Sequence, residues 1–357
     1  MEILSTRLFN QAICETTFEA PVEVVRSLGA VQAQDYGAAK WALGLRLSGG
    51  ATDADVEQAF TSGKLLRTHV MRPTWHFVLP ADIRWLLALT SPRVNAGNAY
   101  MYRKLELDDT VFKRSNAVLV QALRGGKHLT RPELVVVLQQ GGIVLDDLQR
   151  LTSILMHAEL DGIICSGARR DKQFTYALLD ERVPSARILD RDEALVELVL
   201  RYFTSHGPAT LHDFVWWSGL TLADARNGVA LLASQLQHEV IDKQTYWYVN
   251  STVSSRQQAP TAYLLPNYDE YIVGYTDRSA MFQSVHSDKL DARGNVLFNH
   301  TIILDGRVVG TWKRTLKKAA VLIVLNFFVP LSTTEKAAVM LAAERYGAFL
   351  NLTVDVT

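Results

Sequence analysis

Cysteine is scarce in this sequence, and neither sign of charge is in excess. The chain of 357 residues has 2 cysteines, Cys14 and Cys165, which lie far apart and in no CxxC or Cys/His cluster. Neither a disulfide framework nor a structural zinc site is indicated, and a reducing, cytoplasmic location is expected. The 37 Lys and Arg residues balance 37 Asp and Glu residues, so the formal net charge is +0. Any polyanionic partner would have to be bound by locally segregated charge.

Long hydrophobic runs and several well-known motifs are also absent. The most apolar stretch, residues 319–331, is shorter than the about 20 residues of a membrane span, and we predict a buried strand there. No GxGxxG, Walker, HExxH or GxSxG pattern occurs, so nucleotide-binding, zinc-protease and α/β-hydrolase sites lack support. We expect no membrane association and no cofactor.

The composition is that of a globular protein, and its organisation is repetitive. Hydrophobic residues make up 48% of the chain and charged residues 21%, which excludes intrinsic disorder. Thr130 and Glu133 form a capping box, and Thr210 and Asp213 repeat it further along. In both places a longer helix comes first, and a Gly-containing turn, another helix and a strand pair follow. The predicted strand pairs are 162–166 with 174–178, and 239–241 with 246–249.

The beginning of the chain has a similar order of elements. Helices at 20–28 and after Thr52 precede strands at 65–71 and 74–79, which Arg72 and Pro73 separate. Helices followed by a strand pair favour a winged helix-turn-helix unit over a generic helical bundle with stray hairpins.

We therefore predict an α+β fold of tandem winged helix-turn-helix units followed by a small C-terminal β-rich domain, a partial barrel with a closing helix. A polar linker is predicted at 251–261. The predicted segments are 1–110, 111–185 and 186–255 for the three winged units and 256–357 for the last domain.

Several separated segments resemble one known family. They are VQAQD at 31–35 with WALGLR at 41–46, LRTHVMRPTWH at 66–76, LLPNYDEY at 264–271 running to Asp277 and Arg278, and DGRVVGTWKR at 305–314. In this order they resemble the AlkZ-like DNA glycosylases, a family of tandem winged-helix proteins, over most of the chain. The resemblance implies a DNA-repair enzyme that cleaves the N-glycosidic bond of bulky or crosslinked N7-alkylpurines in double-stranded DNA.

The resemblance also implies that a Gln-apolar-Gln motif, here Gln32, Ala33 and Gln34, holds the attacking water. Two amides can fix a water by hydrogen bonding, and residues i and i+2 of an extended segment point the same way. The alternative is that both glutamines only bond a strand or turn. Asp35 could act as base, as oxocarbenium stabiliser or as a helix cap.

The segment 72–76 is the second candidate for the site. Alternation along a strand places Thr74 and His76 on one face and Trp75 on the other. Thr74 and His76, with Arg72 beside them, could hold a phosphate, orient the water or contact the lesion. The alternative for His76 is a histidine satisfied within a hairpin, which we favour for His69.

Two basic clusters are candidate phosphate contacts, although charge runs are more often simply solvated. Arg169, Arg170 and Lys172 lie in the predicted wing of the middle unit; Lys313, Arg314 and Lys317 follow Trp312. We expect these residues to face one concave side. Asp269, Glu270 and Asp277 are expected to serve turns and caps rather than catalysis.

Two other functions are compatible with the residues. A non-catalytic winged-helix regulator would prefer one DNA sequence and release no base. An interaction scaffold would show no salt-dependent DNA affinity at all. The prediction is a monofunctional glycosylase that acts as a monomer.

Overall fold

The computed structural model describes residues 2–249, 259–290 and 295–357, so most of the predicted linker lies outside the described residues. The α-helices are α1 (Ile3–Asn10), α2 (Pro21–Leu28), α3 (Tyr36–Gly44), α4 (Asp53–Thr61), α5 (Ile83–Lys104), α6 (Asp109–Leu123), α7 (Arg131–Gln140), α8 (Leu148–Leu160), α9 (Leu179–Arg182), α10 (Arg191–Ser205), α11 (Leu211–Ser218), α12 (Leu222–Leu231), α13 (Glu270–Val273) and α14 (Thr333–Leu350). The strands are β1 (Val31–Gln32), β2 (Leu66–Val70), β3 (Arg72–Val78), β4 (Leu129–Thr130), β5 (Ile164–Ser166), β6 (Thr175–Leu178), β7 (Gln237–Ile241), β8 (Gln244–Tyr248), β9 (Ala262–Leu265), β10 (Thr301–Leu304), β11 (Arg307–Leu316), β12 (Ala320–Phe327) and β13 (Thr353–Val356).

The chain divides into two compact units, which we call unit 1 and unit 2. Unit 1 comprises Met1–Glu57, Leu198–Trp217 and Leu222–Thr357; unit 2 comprises Gln58–Glu197 and Ser218–Thr221. The boundaries of the four predicted segments are a finer division, which stays a prediction.

A five-stranded curled sheet dominates unit 1. Its order is β13-β12-β11-β10-β9, antiparallel except for the parallel pair β12–β13. Two buried tryptophans fix its β9 strand: the indole N–H of Trp41 donates to the Leu264 carbonyl at 2.6 Å, and that of Trp312 donates to the Leu265 carbonyl at 2.8 Å. These bonds hold the end of β9 and thereby the turn that follows it, which contributes to the candidate site.

Unit 2 contains a β2–β3 hairpin and a three-stranded sheet in the order β4-β6-β5. Its core forms where α6, α7 and α8 bury their apolar faces, with fully buried side chains such as Leu119, Leu134 and Ile154. The backbone N–H of Arg67 in β2 donates to the Ser166 hydroxyl in β5 at 2.8 Å, which joins the hairpin to the small sheet.

Both predicted capping boxes are confirmed. The Thr130 N–H donates to the Glu133 carboxylate at 2.7 Å, and Thr130 Oγ1 accepts from the Glu133 N–H. The Thr210 N–H donates to the Asp213 carboxylate at 2.9 Å, and Thr210 Oγ1 accepts from the Asp213 N–H at 3.2 Å. Each box satisfies N–H groups that the first turn of a helix leaves without partners.

Three details differ from the prediction. Arg72 and Pro73 belong to β3, and the hairpin turns at Met71, whose φ is +64°. The long helix α5 has no counterpart in the prediction, because Pro92 lies within it and its second half has no clear apolar stripe. The stretch at 319–331 forms β12, but Val324 is 42% exposed, so this strand is buried on one face only.

The α+β class is confirmed, and the C-terminal β-rich region is a curled sheet that forms half of a barrel, closed by α14. The winged helix-turn-helix interpretation of the helices and hairpins before it stays a prediction.

Candidate functional site

The segment 31–37 runs from the short strand β1 through a bend into α3. Gln32 is buried with 6% of its surface exposed, whereas Gln34 is exposed and Asp35 half-buried. Asp35 precedes α3 as its N-cap, and its carboxylate accepts the Ala38 N–H at 3.0 Å. The cap is one of the three predicted roles of Asp35; it engages one carboxylate oxygen and leaves the other two roles open.

Glu270 fixes the backbone of Gln32. Its side chain is fully buried, and Oε1 accepts the Gln32 N–H at 2.8 Å while Oε2 accepts the indole N–H of Trp217 at 2.8 Å. Nε2 of the buried His206 lies 3.4 Å from Oε2. Burial lowers the pKa of His206, which favours a neutral ring. The prediction of a turn or cap role is wrong for Glu270, because its carboxylate ties Gln32 to a segment distant in sequence.

Asp269, next to Glu270, has the predicted capping role. Its carboxylate accepts the Tyr271 N–H at the start of α13 and forms a two-pronged ion pair with Arg46, at 2.8 and 2.9 Å. Both side chains are fully buried. Arg46 also donates to the Gln11 side chain at 2.9 Å. Removal of either partner would leave an uncompensated buried charge, so this pair supports the turn at 266–270.

A row of side chains on one face of the curled sheet adjoins the start of α3. Arg314 lies two residues beyond Trp312 in β11, so both point to the same face. Arg314 donates to the Tyr346 hydroxyl from α14, whose ring meets Trp312 edge-on at 5.0 Å. A Cβ on Gly37 would lie 3.2 Å from Arg314 Nη2 and 3.8 Å from Asp35 Oδ1. Glycine at position 37 therefore leaves the space in which the Arg314 guanidinium approaches the start of α3.

The predicted basic cluster after Trp312 does not form one patch. Lys313 is exposed, on the opposite face of β11 from Arg314, and Lys317 lies 3.7 Å from Asp355 in an exposed pair. The expectation that these residues face one side is wrong for Lys313 and Arg314, because side chains alternate along a strand.

In unit 2, His76 is fully buried in β3, opposite Thr68 of β2. Its Nδ1 lies 3.0 Å from the Thr74 carbonyl oxygen, and Arg72 Nη2 lies 3.5 Å from Nε2. The Thr74 hydroxyl is buried and has no hydrogen-bond partner among the described residues. Arg72, Thr74 and His76 thus form one group in unit 2, whereas Gln32, Gln34 and Asp35 lie in unit 1.

Of the predicted wing residues, Arg169 belongs to a row of alternating arginine and aromatic side chains. Arg67 lies over Trp75 at 4.2 Å and over Phe174 at 4.7 Å, and Arg169 lies over Phe174 at 4.7 Å. Such contacts hold the loop between β5 and β6 against the β2–β3 hairpin. On the same face the His69 ring contacts Trp75 in a tilted arrangement, with 4.4 Å between centroids, and pairs with the buried Glu159, as expected for a satisfied histidine.

The two remaining basic residues of this loop differ from one another. Arg170 bonds the Glu133 carboxylate at 2.8 Å and the His128 carbonyl at 2.8 Å. This pair, together with the capping box, lowers the pKa of Glu133 to about 2; the bond from the Thr130 N–H is the largest cause. Lys172 is exposed at the tip of the loop. Of these two, Lys172 is the better candidate for contact with a phosphate.

Neither a metal-binding cluster nor a membrane-spanning helix is present among the described residues. Within 2–249, 259–290 and 295–357, no group of three or more His, Cys, Asp and Glu side chains is arranged to hold a metal ion. None of the helices in these ranges combines the length and the apolar character needed to cross a membrane.

The fold defines an α+β protein with a curled C-terminal half-barrel. Residues 25–349 match the family model "DNA glycosylase AlkZ-like", and the chain belongs to this family. It is thus an enzyme, a DNA glycosylase that hydrolyses N-glycosyl bonds. The predicted family and the predicted enzyme class are both confirmed.

Two comparisons with known proteins agree with this membership. A protein of Streptomyces sahachiroi, named "Interstrand DNA cross-link repair glycosylase", is 24% identical over 330 residues, which cover 87% of each chain. The solved structure of the Streptomyces sahachiroi DNA glycosylase AlkZ superposes with a TM-score of 0.82 at 21% identity, covering 100% of this chain and 98% of that one.

Proposed function

We propose that this DNA-repair glycosylase releases bulky or crosslinked N7-alkylpurines from double-stranded DNA, with water held by Gln32 and Gln34 as the nucleophile. The observation that carries the proposal is the local structure of 31–37. A buried carboxylate fixes the Gln32 backbone, while the exposed Gln34 and the half-buried Asp35 follow at the open start of α3.

The chemistry suits these residue types. Alkylation at N7 puts a positive charge on the purine, so the base leaves readily once the C1′–N9 bond weakens. The electron pair of that bond neutralises the ring, the water oxygen bonds to C1′, and the water gives up a proton. Amides orient the water, and the Asp35 carboxylate can stabilise the oxocarbenium-like sugar or accept the proton. General-acid help is not required for a leaving group that is already cationic.

The ion pairs of Lys40 support a monofunctional reaction, in which no amine of the enzyme attacks the sugar. This lysine lies in α3, but its ammonium is bound by Asp53 at 2.7 Å and by Glu57 at 2.9 Å. A charged, paired ammonium is a poor nucleophile.

DNA is the proposed partner, bound by Arg72 and Thr74 of β3, by Lys172 and Arg169 of the β5–β6 loop, and by Arg314. Lys313, on the opposite face of β11 from Arg314, is not part of this proposal. Two cysteines that are both free agree with a cytoplasmic location. We propose action as a monomer on a single lesion.

Base release tests this function directly. The protein is incubated with duplexes that contain N7-methylguanine or an N7-linked interstrand crosslink, and the free modified base and the abasic sites are measured. We expect release from both. Binding to one preferred sequence with no release from any lesion would support the regulator instead, and the absence of salt-dependent DNA affinity would support the scaffold.

A further inference from the structure

His300 lies on the sheet face that adjoins the start of α3. It precedes β10 and is opposite Trp312, whose backbone N–H donates to the His300 carbonyl at 3.1 Å. The two rings are 4.9 Å apart between centroids. Arg314 lies on the same face as Trp312, and a Cβ on Gly37 would lie 3.2 Å from Arg314 Nη2 and 3.8 Å from Asp35 Oδ1. The His300 ring, the Arg314 guanidinium and the Asp35 carboxylate therefore belong to one neighbourhood.

The tautomer of His300 is fixed by the turn after β9. The backbone N–H of Asn267 donates to His300 Nδ1 at 2.9 Å. Nδ1 is therefore the acceptor, and in the neutral ring the proton is on Nε2. Burial and the charge of Arg314 lower the pKa of His300 to about 4, partly offset by Asp35, so the ring is neutral at physiological pH.

Two polar groups of this neighbourhood lack partners. His300 is half-buried, and its Nε2 has no hydrogen-bond partner within the described part of the chain. The side-chain oxygen of Asn267 is buried and also has none among the described residues. A fixed donor and a fixed acceptor, both unsatisfied, are what a site that binds a polar base edge presents before its ligand arrives.

We propose that His300 is a further catalytic residue, whose neutral imidazole donates a hydrogen bond from Nε2 to an acceptor atom of the departing purine. This inference rests on the proposed function. As the C1′–N9 bond breaks, its electron pair moves into the purine, and the negative charge density rises at the ring nitrogen and carbonyl acceptors. A donor that is already oriented stabilises that charge without transferring a proton.

Two substitutions distinguish the acceptor role of His300 Nδ1 from the donor role of Nε2. In His300→Asn the side-chain carbonyl can take the place of Nδ1 and accept from Asn267, but no donor reaches the position of Nε2. In His300→Gln the terminal amide nitrogen reaches that position and restores the donor. Melting temperature checks that both variants fold, and DNA affinity is measured on a duplex with N7-methylguanine.

The readout is the single-turnover rate of base release at saturating enzyme. We expect His300→Asn to lower the rate on the order of 10-fold or more, with DNA affinity unchanged within about 2-fold. We expect His300→Gln to recover most of the rate. If the wild type is active and His300→Asn is equally active, the role of His300 is contradicted while the proposed function stands. The same holds if both variants lose the same fraction of the rate. A wild type that releases no base would contradict the proposed function and this inference with it.

Discussion

The carboxylate of Glu270 accepts the backbone N–H of Gln32 at 2.8 Å, across 238 residues of sequence. Its second oxygen accepts the indole N–H of Trp217. A buried charge with two donors thus holds the strand that leads into the candidate water-binding segment. The position of the glutamine motif depends on the C-terminal part of the chain as much as on its own local sequence.

Glu270→Gln tests that dependence. The amide would turn an NH2 group toward one of the two N–H donors, so we expect the free energy of unfolding to fall by about 2 kcal/mol. We also expect slower base release with DNA affinity retained, because Gln32 loses its anchor. Urea denaturation and single-turnover kinetics measure the two effects. Glu344→Gln, at an exposed position of α14, is the control and should change neither; a fully stable and active Glu270→Gln would contradict the anchoring role.

Gly37→Ala tests whether the approach of Arg314 matters. Alanine favours a helix by up to about 1 kcal/mol over glycine, but its Cβ would lie 3.2 Å from the Arg314 guanidinium and displace it. We expect unchanged or higher stability together with weaker binding to lesion DNA. Gly97→Ala in α5, where an added Cβ meets nothing within 4 Å, should stabilise the protein by a similar amount and leave DNA binding unchanged. Equal DNA binding by both variants would show that Arg314 needs no such space.

Lys172 and Arg170 should differ in their effect on DNA binding. The charge of Arg170 is already paired with Glu133, whereas Lys172 is exposed. We expect Lys172→Ala to reduce the slope of log affinity against log salt by about 0.9. Arg170→Ala should change the slope little and cost at most about 1 kcal/mol of stability. Fluorescence anisotropy over a salt series measures the slopes, and identical slopes for both variants would remove Lys172 from the interface.

The stability of the protein should depend on pH through His300. The pKa of this ring in the folded state, about 4, is below its usual value of 6.5, so the unfolded chain binds more protons between these values. The contribution of His300 is fully present above pH 6.5 and is lost as the pH falls toward 4. The variant His300→Gln lacks this titrating group. Between pH 6.5 and pH 4 its free energy of unfolding should therefore decrease by up to about 3 kcal/mol less than that of the wild type. Parallel curves for wild type and variant would mean that the ring is not held neutral.

Much of this structure could be predicted from local sequence. The capping boxes at Thr130 and Thr210 and the hairpin strands at 66–78 are local signals, since caps and alternation depend on neighbours in sequence. The family resemblance located Gln32 and Gln34. The cluster of cations after Trp312 does not by itself indicate a basic patch, because side chains alternate along a strand and place Lys313 and Arg314 on opposite faces.

The remainder depends on contacts between distant segments. The sequence near Glu270 does not indicate that it binds Gln32, because two adjacent acidic residues at 269–270 are equally compatible with two helix caps. His300 has no motif around it, and only the fold places it beside Arg314. The role of Gly37 likewise follows from a guanidinium that belongs to another part of the sequence.

Gln34 offers the most direct test of the central claim, because its side chain is exposed and its loss leaves the core intact. The measurement is the single-turnover rate of base release from a duplex with N7-methylguanine, for wild type, Gln34→Ala and the double variant Gln32→Ala/Gln34→Ala, with DNA affinity measured in parallel. Water held by the glutamine pair predicts a loss on the order of 100-fold or more for both variants with nearly unchanged DNA affinity. A double variant that releases the base at the wild-type rate would contradict the account.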